Sequence, residues 1–138
     1  MRLVTDVNVI FSALINKGNA FKVFEANKLF KKFEFIAPEF LFKEIGVRMD
    51  KLILQTKLSN EELANTFKFL KEEIDFIPAS EFMDKLAEAL EINKKDAPYI
   101  ALALKTNVAI FSGDEGLRKQ NKVKIFSPRE LLDMLGME

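Results

Sequence analysis

The chain has 138 residues, balances 21 Lys and Arg against 21 Asp and Glu, and contains neither cysteine nor histidine. That composition excludes disulfides, thiolate chemistry, Ser-His-Asp triads and the usual zinc sites, so any metal must be held by oxygen, which favours Mg2+ or Mn2+. The length suits one domain over residues 1–138, no apolar run approaches the roughly 20 residues a membrane helix needs, and a strand starting within a few residues of Met1 leaves no room for a leader, so a cytoplasmic protein is expected.

Residues 2–8 read as a buried first strand, followed by a connection at Asn16-Lys17-Gly18 and a helix from about Ala20 to Lys31. Phe33 to Ala37 is a second strand, stopped by Pro38, and 39–56 reads as one long helix. Ser59 and Glu62 form a capping box, in which each side chain bonds the other's backbone amide, and open a helix through about Glu73. Phe76 and Ile77 mark a short strand, and Ser80 is placed to cap a helix ending near Leu90. Asp96 opens a nearly uncharged helix that tolerates Pro98 in its first turn. Val108 to Ser112 and Val123 to Phe126 are the last strands. Ser127, Pro128 and Glu130 then start a final helix that Gly136 can end. Strands alternating with helices predict an α/β fold with a parallel sheet of about five strands, flanked by helices on both faces.

Four acids stand out against that frame. Asp6 interrupts an apolar strand, Asp114 follows another, Asp96 opens an apolar helix and Glu44 lies on a helix between Leu41 and Ile45. The carboxyl ends of strands in such sheets form the rim where ligands bind. Carboxylates gathered there repel one another, and a hard divalent cation with oxygen ligands relieves the repulsion. The pattern therefore points to a metal-dependent hydrolase acting on a phosphodiester.

Each acid also has a simpler role open to it. Asp6 could cap a turn, Asp96 its own helix and Asp114 a Ser-Gly-Asp loop, while Glu44 could form an ordinary i,i+4 pair with Arg48. Asn8, sharing a strand face with Asp6 if the strand stays regular, could bind a metal-held water or stabilise the turn, and Ser112 is a candidate to orient a water or a carboxylate. Glu115 is a spare ligand or a solvated charge. Tyr99 either stacks on a base or packs. Candidate substrate-holding cations are Arg48 and Lys51 beyond Glu44, Lys94 and Lys95 beside Asp96, and Arg118 and Lys119 after Asp114. Zero net charge is only a weak argument against a nucleic-acid substrate, because an enzyme needs no more than a local basic patch. Phe82 and Met83, with the Phe21/Phe24 helix, form either a dimer face or core.

At these residues the chain resembles PIN-domain proteins, and among them the small prokaryotic VapC-like toxin ribonucleases. Val4-Thr5-Asp6-Val7-Asn8-Val9-Ile10 with Ser12-Ala13-Leu14 resembles the first PIN motif, and Pro38-Glu39-Phe40-Leu41-Phe42-Lys43-Glu44-Ile45 the second. Asp96-Ala97-Pro98-Tyr99-Ile100-Ala101-Leu102-Ala103 resembles the third, Phe111-Ser112-Gly113-Asp114 the fourth, and Phe126-Ser127-Pro128-Arg129-Glu130-Leu131-Leu132 a closing segment of the subgroup. One departure is Gly116, where many relatives carry a further acid. The resemblance implies a five-stranded parallel sheet, Mg2+- or Mn2+-dependent cleavage of RNA, frequent homodimers and, in toxin members, a small antitoxin partner of a kind that often inserts an Arg into the acidic pocket. Two other readings stay open: an RNA-processing nuclease without an antitoxin, and a catalytically silent PIN-like interaction module.

Overall fold

The computed structural model describes residues 1–137. Five strands, β1 (Arg2–Thr5), β2 (Glu34–Pro38), β3 (Ile74–Ile77), β4 (Ala109–Phe111) and β5 (Ile125–Phe126), form one sheet in the order β3-β2-β1-β4-β5. All four pairings are parallel. The helices are α1 (Val7–Asn16), α2 (Asn19–Phe30), α3 (Phe40–Val47), α4 (Met49–Gln55), α5 (Asn60–Glu72), α6 (Leu86–Ile92), α7 (Ala97–Thr106) and α8 (Pro128–Met134). The chain steps outward from β1 to β2 and β3, then returns to the other side of β1 for β4 and β5. Right-handed crossovers therefore put α1, α2 and α5 on one face and α6 and α7 on the other. The reversal makes the carboxyl ends of β1 and β4 the switch point of the sheet, where such folds open a crevice.

The core explains the abundance of Phe. Phe24 of α2, Phe35 of β2 and Phe111 of β4 stack in a tilted cluster with centroids 4.7 to 5.8 Å apart. On the opposite face, α7 is buried along nearly its whole length, from Ala97 through Tyr99 to Ala103. Its small residues let it lie directly over β1, β2 and β4. Among the described residues, no helix is long and apolar enough to cross a membrane.

Several expected boundaries moved. The first strand stops at Thr5, and Val7–Asn16 is helical rather than strand and connection. The run Val7-Asn8-Val9-Ile10, β-branched at all but Asn8, has strand propensity, but burial decides. On a helix, Val7, Ile10 and Leu14 share one buried stripe with Val9 and Ala13 beside it. Lys17, in the left-handed conformation at φ 53°, ends α1 by donating its amide to Ala13. The helix expected over 39–56 is two helices that meet at Arg48, whose φ of −103° and ψ of 6° break the repeat just after Gly46, a poor helix former. Ser80 caps nothing. It lies in a 3-10 turn, Ala79–Glu81, a second turn follows at Met83–Lys85, and α6 begins only at Leu86. The capping boxes at Ser59/Glu62 and Ser127/Glu130 both form as expected. Of the four residues considered for a dimer face, Phe24 and Phe82 are core, Phe21 packs against the core and Met83 is exposed.

Candidate functional site

Asp6 leaves β1 in extended conformation, its amide bonded to the Phe111 carbonyl at 3.0 Å, and its own carbonyl starts α1. Its carboxylate makes no cap hydrogen bond, so the turn does not use it. Oδ2 instead accepts from the Ser112 hydroxyl at 2.8 Å, and the residue is 2% exposed. Burial pushes the Asp6 pKa up from 3.8 to about 6. The Ser112 hydrogen bond opposes this shift, while the charges of Asp96, Glu44 and Asp114 add to it.

Ser112, fully buried just beyond β4, is the hub of this corner. Besides donating to Asp6, its oxygen accepts from the Asp114 amide at 3.0 Å and from Asn8 Nδ2 at 3.3 Å. Asn8 reaches it from the first turn of α1, not along a strand face. Its Oδ1 takes the Gly113 amide at 3.3 Å. Asn8 and Ser112 thus tie the start of α1 to the loop that carries Asp114. Asp114 does perform turn chemistry, since its Oδ1 accepts from the Gly116 amide at 2.8 Å. A Cβ at position 116 would sit 3.2 Å from that oxygen, so glycine leaves room for the turn. Glu115 is exposed and brings no recorded contact to the acids.

Asp96 occupies the cap position of α7 but does not cap it. Its φ of −105° and ψ of 16° are not the extended cap geometry, and the side chain makes no cap bond. The residue is 7% exposed, and its Oδ2 is buried without any hydrogen-bond partner. Such a group costs free energy unless something pairs with it. Burial raises its pKa, and so does Asp114. Lys95 opposes the shift, Glu44 adds to it and Arg48 opposes it.

Glu44, on α3, is reached by a residue whose part could not be read from the sequence. The Tyr99 hydroxyl donates to Glu44 Oε1 at 2.5 Å. Tyr99 is 1% exposed, which excludes stacking on a base, and burial, then the Glu44 bond, push its phenol pKa up. Glu44 Oε2 lies 3.9 Å from Arg48 Nη2, a loose i,i+4 pair. Because the helix breaks at Arg48, Lys51 does not continue Glu44's face. It lines a groove of about 510 Å3 with Phe11, Ile15, Arg48, Leu52 and Gln55. Lys94 and Lys95 are exposed beside Asp96. Lys119 is exposed, and Arg118 is engaged with Glu130 at 2.6 Å.

The four acids therefore share one electrostatic field at the switch point. Even so, among the described residues no three acidic side chains stand close enough together to hold a metal ion. Three of the four are held by their own donors: Asp6 by Ser112, Asp114 by Gly116 and Glu44 by Tyr99. The donor set still suits a hard divalent cation. Every ligand is oxygen, Asp96 has a vacant buried oxygen, and the raised carboxyls of Asp6 and Asp96 mark charge lacking compensation.

A family model described as PIN domain matches residues 4–128, which include all four acids. The chain belongs to the PIN domain family. PIN domains are typically nucleases and commonly bind Mg2+ or Mn2+. The fold is also that of a chain in the crystal structure of VapBC2 from Rickettsia felis bound to a DNA fragment from their promoter. The TM-score is 0.64 at 14% identity, covering 92% of this chain and 98% of that one. At that identity the likeness concerns the fold. A comparison with curated proteins finds no match.

Proposed function

We propose that this PIN domain, spanning residues 1–138 as one unit, is a divalent-metal-dependent ribonuclease. The observation that carries the reading is the buried, unpartnered Oδ2 of Asp96, whose charge is felt by Asp6 and which itself lies in the field of Asp114 and Glu44. Asp6, Asp96 and Asp114 are the metal-holding carboxylates, joined by Glu44. Together the four are the catalytic set for one or two Mg2+ or Mn2+ ions. A divalent cation held there stabilises charge on the phosphoryl oxygens and makes water a usable nucleophile near neutral pH without a histidine. Ser112 keeps Asp6 oriented, and Asn8 keeps Ser112 and the Asp114 loop in place. Lys94 and Lys95 beside Asp96, with Arg48 beside Glu44, bind the backbone phosphates near the scissile bond. Single-stranded or looped RNA is the proposed substrate, because its unstacked, flexible backbone can bring a phosphate up to largely buried acids.

The toxin component of a toxin–antitoxin pair is the more specific form of the proposal. It rests on the motif resemblance and on the VapBC2 fold likeness. It brings with it a small antitoxin protein as partner, a homodimer and a cytoplasmic setting. The acidic pocket suits an inserted Arg, whose charge would stand in for a cation's. One observation favours a second reading, a silent PIN-like interaction module: the acids are not already gathered to metal-ligand spacing. Cleavage of a mixed single-stranded RNA pool with Mg2+, Mn2+ or EDTA, alongside Mn2+ binding by the same protein, separates the two. The nuclease cleaves and binds Mn2+, whereas the silent module does neither.

A further inference from the structure

The chain has one tyrosine and no tryptophan. That tyrosine, Tyr99, stands three residues beyond Asp96 on α7, its ring packed edge-on to Phe40 of α3 at a centroid distance of 6.5 Å. A buried phenol needs a hydrogen-bond partner, and a carbonyl would suffice. Tyr99 bonds a carboxylate instead, Glu44 Oε1, across 55 residues of sequence. Hydrogen bonds to an ionised acceptor are the short, strong kind. A glutamate on a helix surface otherwise samples several rotamers and loses entropy when fixed. Here one oxygen is already fixed. The other faces only the long contact to Arg48.

We infer that Tyr99 is the positioning residue of Glu44: it occupies Oε1 so that Oε2 alone is presented to the acidic cluster, and Glu44 meets a cation through a single oxygen. The inference rests on the metal-site reading above. It differs from a merely structural link between α3 and α7 because it makes the tyrosine report on, and tune, what binds beside Glu44. Polar groups behind a metal ligand typically change metal affinity or activity by about 10- to 100-fold when removed.

The test uses the whole protein and two variants. Tyr99→Phe keeps the ring and its packing while deleting the donor. The expected result is kcat lower by about 10-fold and a half-saturating Mg2+ concentration raised by a similar factor. KM for RNA stays within about twofold, since no substrate contact is removed. Glu44→Gln keeps the tyrosine, so intrinsic fluorescence reads the contact directly. A phenol bonded to a carboxylate emits weakly, and metal-free emission therefore rises in Glu44→Gln. In the wild type, Mg2+ titration shifts tyrosine emission with saturation, and in Glu44→Gln that response is blunted. Tyr99→Phe with unaltered kcat and Mg2+ requirement overturns the inference, as does emission indifferent to both Mg2+ and Glu44→Gln. The two proposals fail separately. A Tyr99→Phe variant that cleaves as fast as the wild type, at the same Mg2+ concentration, refutes the positioning role and leaves the nuclease standing. A wild type that never cleaves, yet whose emission saturates with Mg2+, refutes the nuclease and leaves the Tyr99–Glu44 link to the cation standing.

Discussion

Replacing Asp6 by Asn should stabilise the metal-free protein, and increasingly so as the pH rises. The folded-state carboxyl holds its proton up to about pH 6, against an ordinary 3.8, chiefly because of burial and then because of its acidic neighbours. A group with a raised carboxyl pKa contributes no penalty below about pH 4. Across pH 4 to 6 the folded state binds more protons than the unfolded state, so stability falls as the pH rises, and above about pH 6 the loss is complete. A shift of about two units at 1.36 kcal/mol each makes the loss about 3 kcal/mol at pH 8. Asn removes the charge, and its side-chain oxygen can still accept from Ser112. With an unfolding entropy near 2.1 cal/mol/K per residue, 3 kcal/mol is worth about 10 °C in a chain of this length. That is an upper bound, since the unfolded reference and rearranged water take part of it. Thermal melts followed by circular dichroism in EDTA, at pH 4 and pH 8, give the difference directly. The variant should melt close to wild type at pH 4 and well above it at pH 8, and saturating Mg2+ should narrow the pH 8 gap. A variant destabilised equally at both pH values would refute the argument, showing that Asp6 serves the fold rather than carrying uncompensated charge.

Two further outcomes follow from the same geometry. Ser112→Ala deletes the donor to Asp6 and the acceptor of the Asp114 amide, so cleavage should fall by about 10- to 100-fold with the fold retained, checked by kcat and a melt. Lys94→Ala with Lys95→Ala should raise KM for RNA and flatten its salt dependence, because two phosphate contacts and their counterions are lost.

What the sequence displayed was local, and what it hid depended on packing. Asp6 stood out because an acid breaking an apolar strand is seldom buried there for the fold alone, whereas Asp114 also performs the turn chemistry its Ser-Gly-Asp sequence suggests; the capping boxes at Ser59 and Ser127 were legible because each spans four residues. The helix α1 was hidden, since Val7, Val9 and Ile10 carry strand propensity, and only the packing of α1 against α2 and its neighbours overrides it. Asp96 misled in the opposite direction. The local rule makes it a cap, while the structure holds its backbone out of cap geometry and leaves one oxygen unpaired. The Tyr99–Glu44 bond could not be read locally at all, because it exists only once α3 and α7 are brought together.

The four carboxylates are proposed to form a metal-dependent RNA-cleaving site. The most direct measurement is cleavage of a mixed single-stranded RNA pool by wild type and Asp6→Asn, in Mg2+, Mn2+ and EDTA. Such a site requires metal-dependent cleavage by wild type, none in EDTA, and none by a folded Asp6→Asn. A folded wild type that neither cleaves nor binds Mn2+, or cleavage that persists in Asp6→Asn, would contradict it.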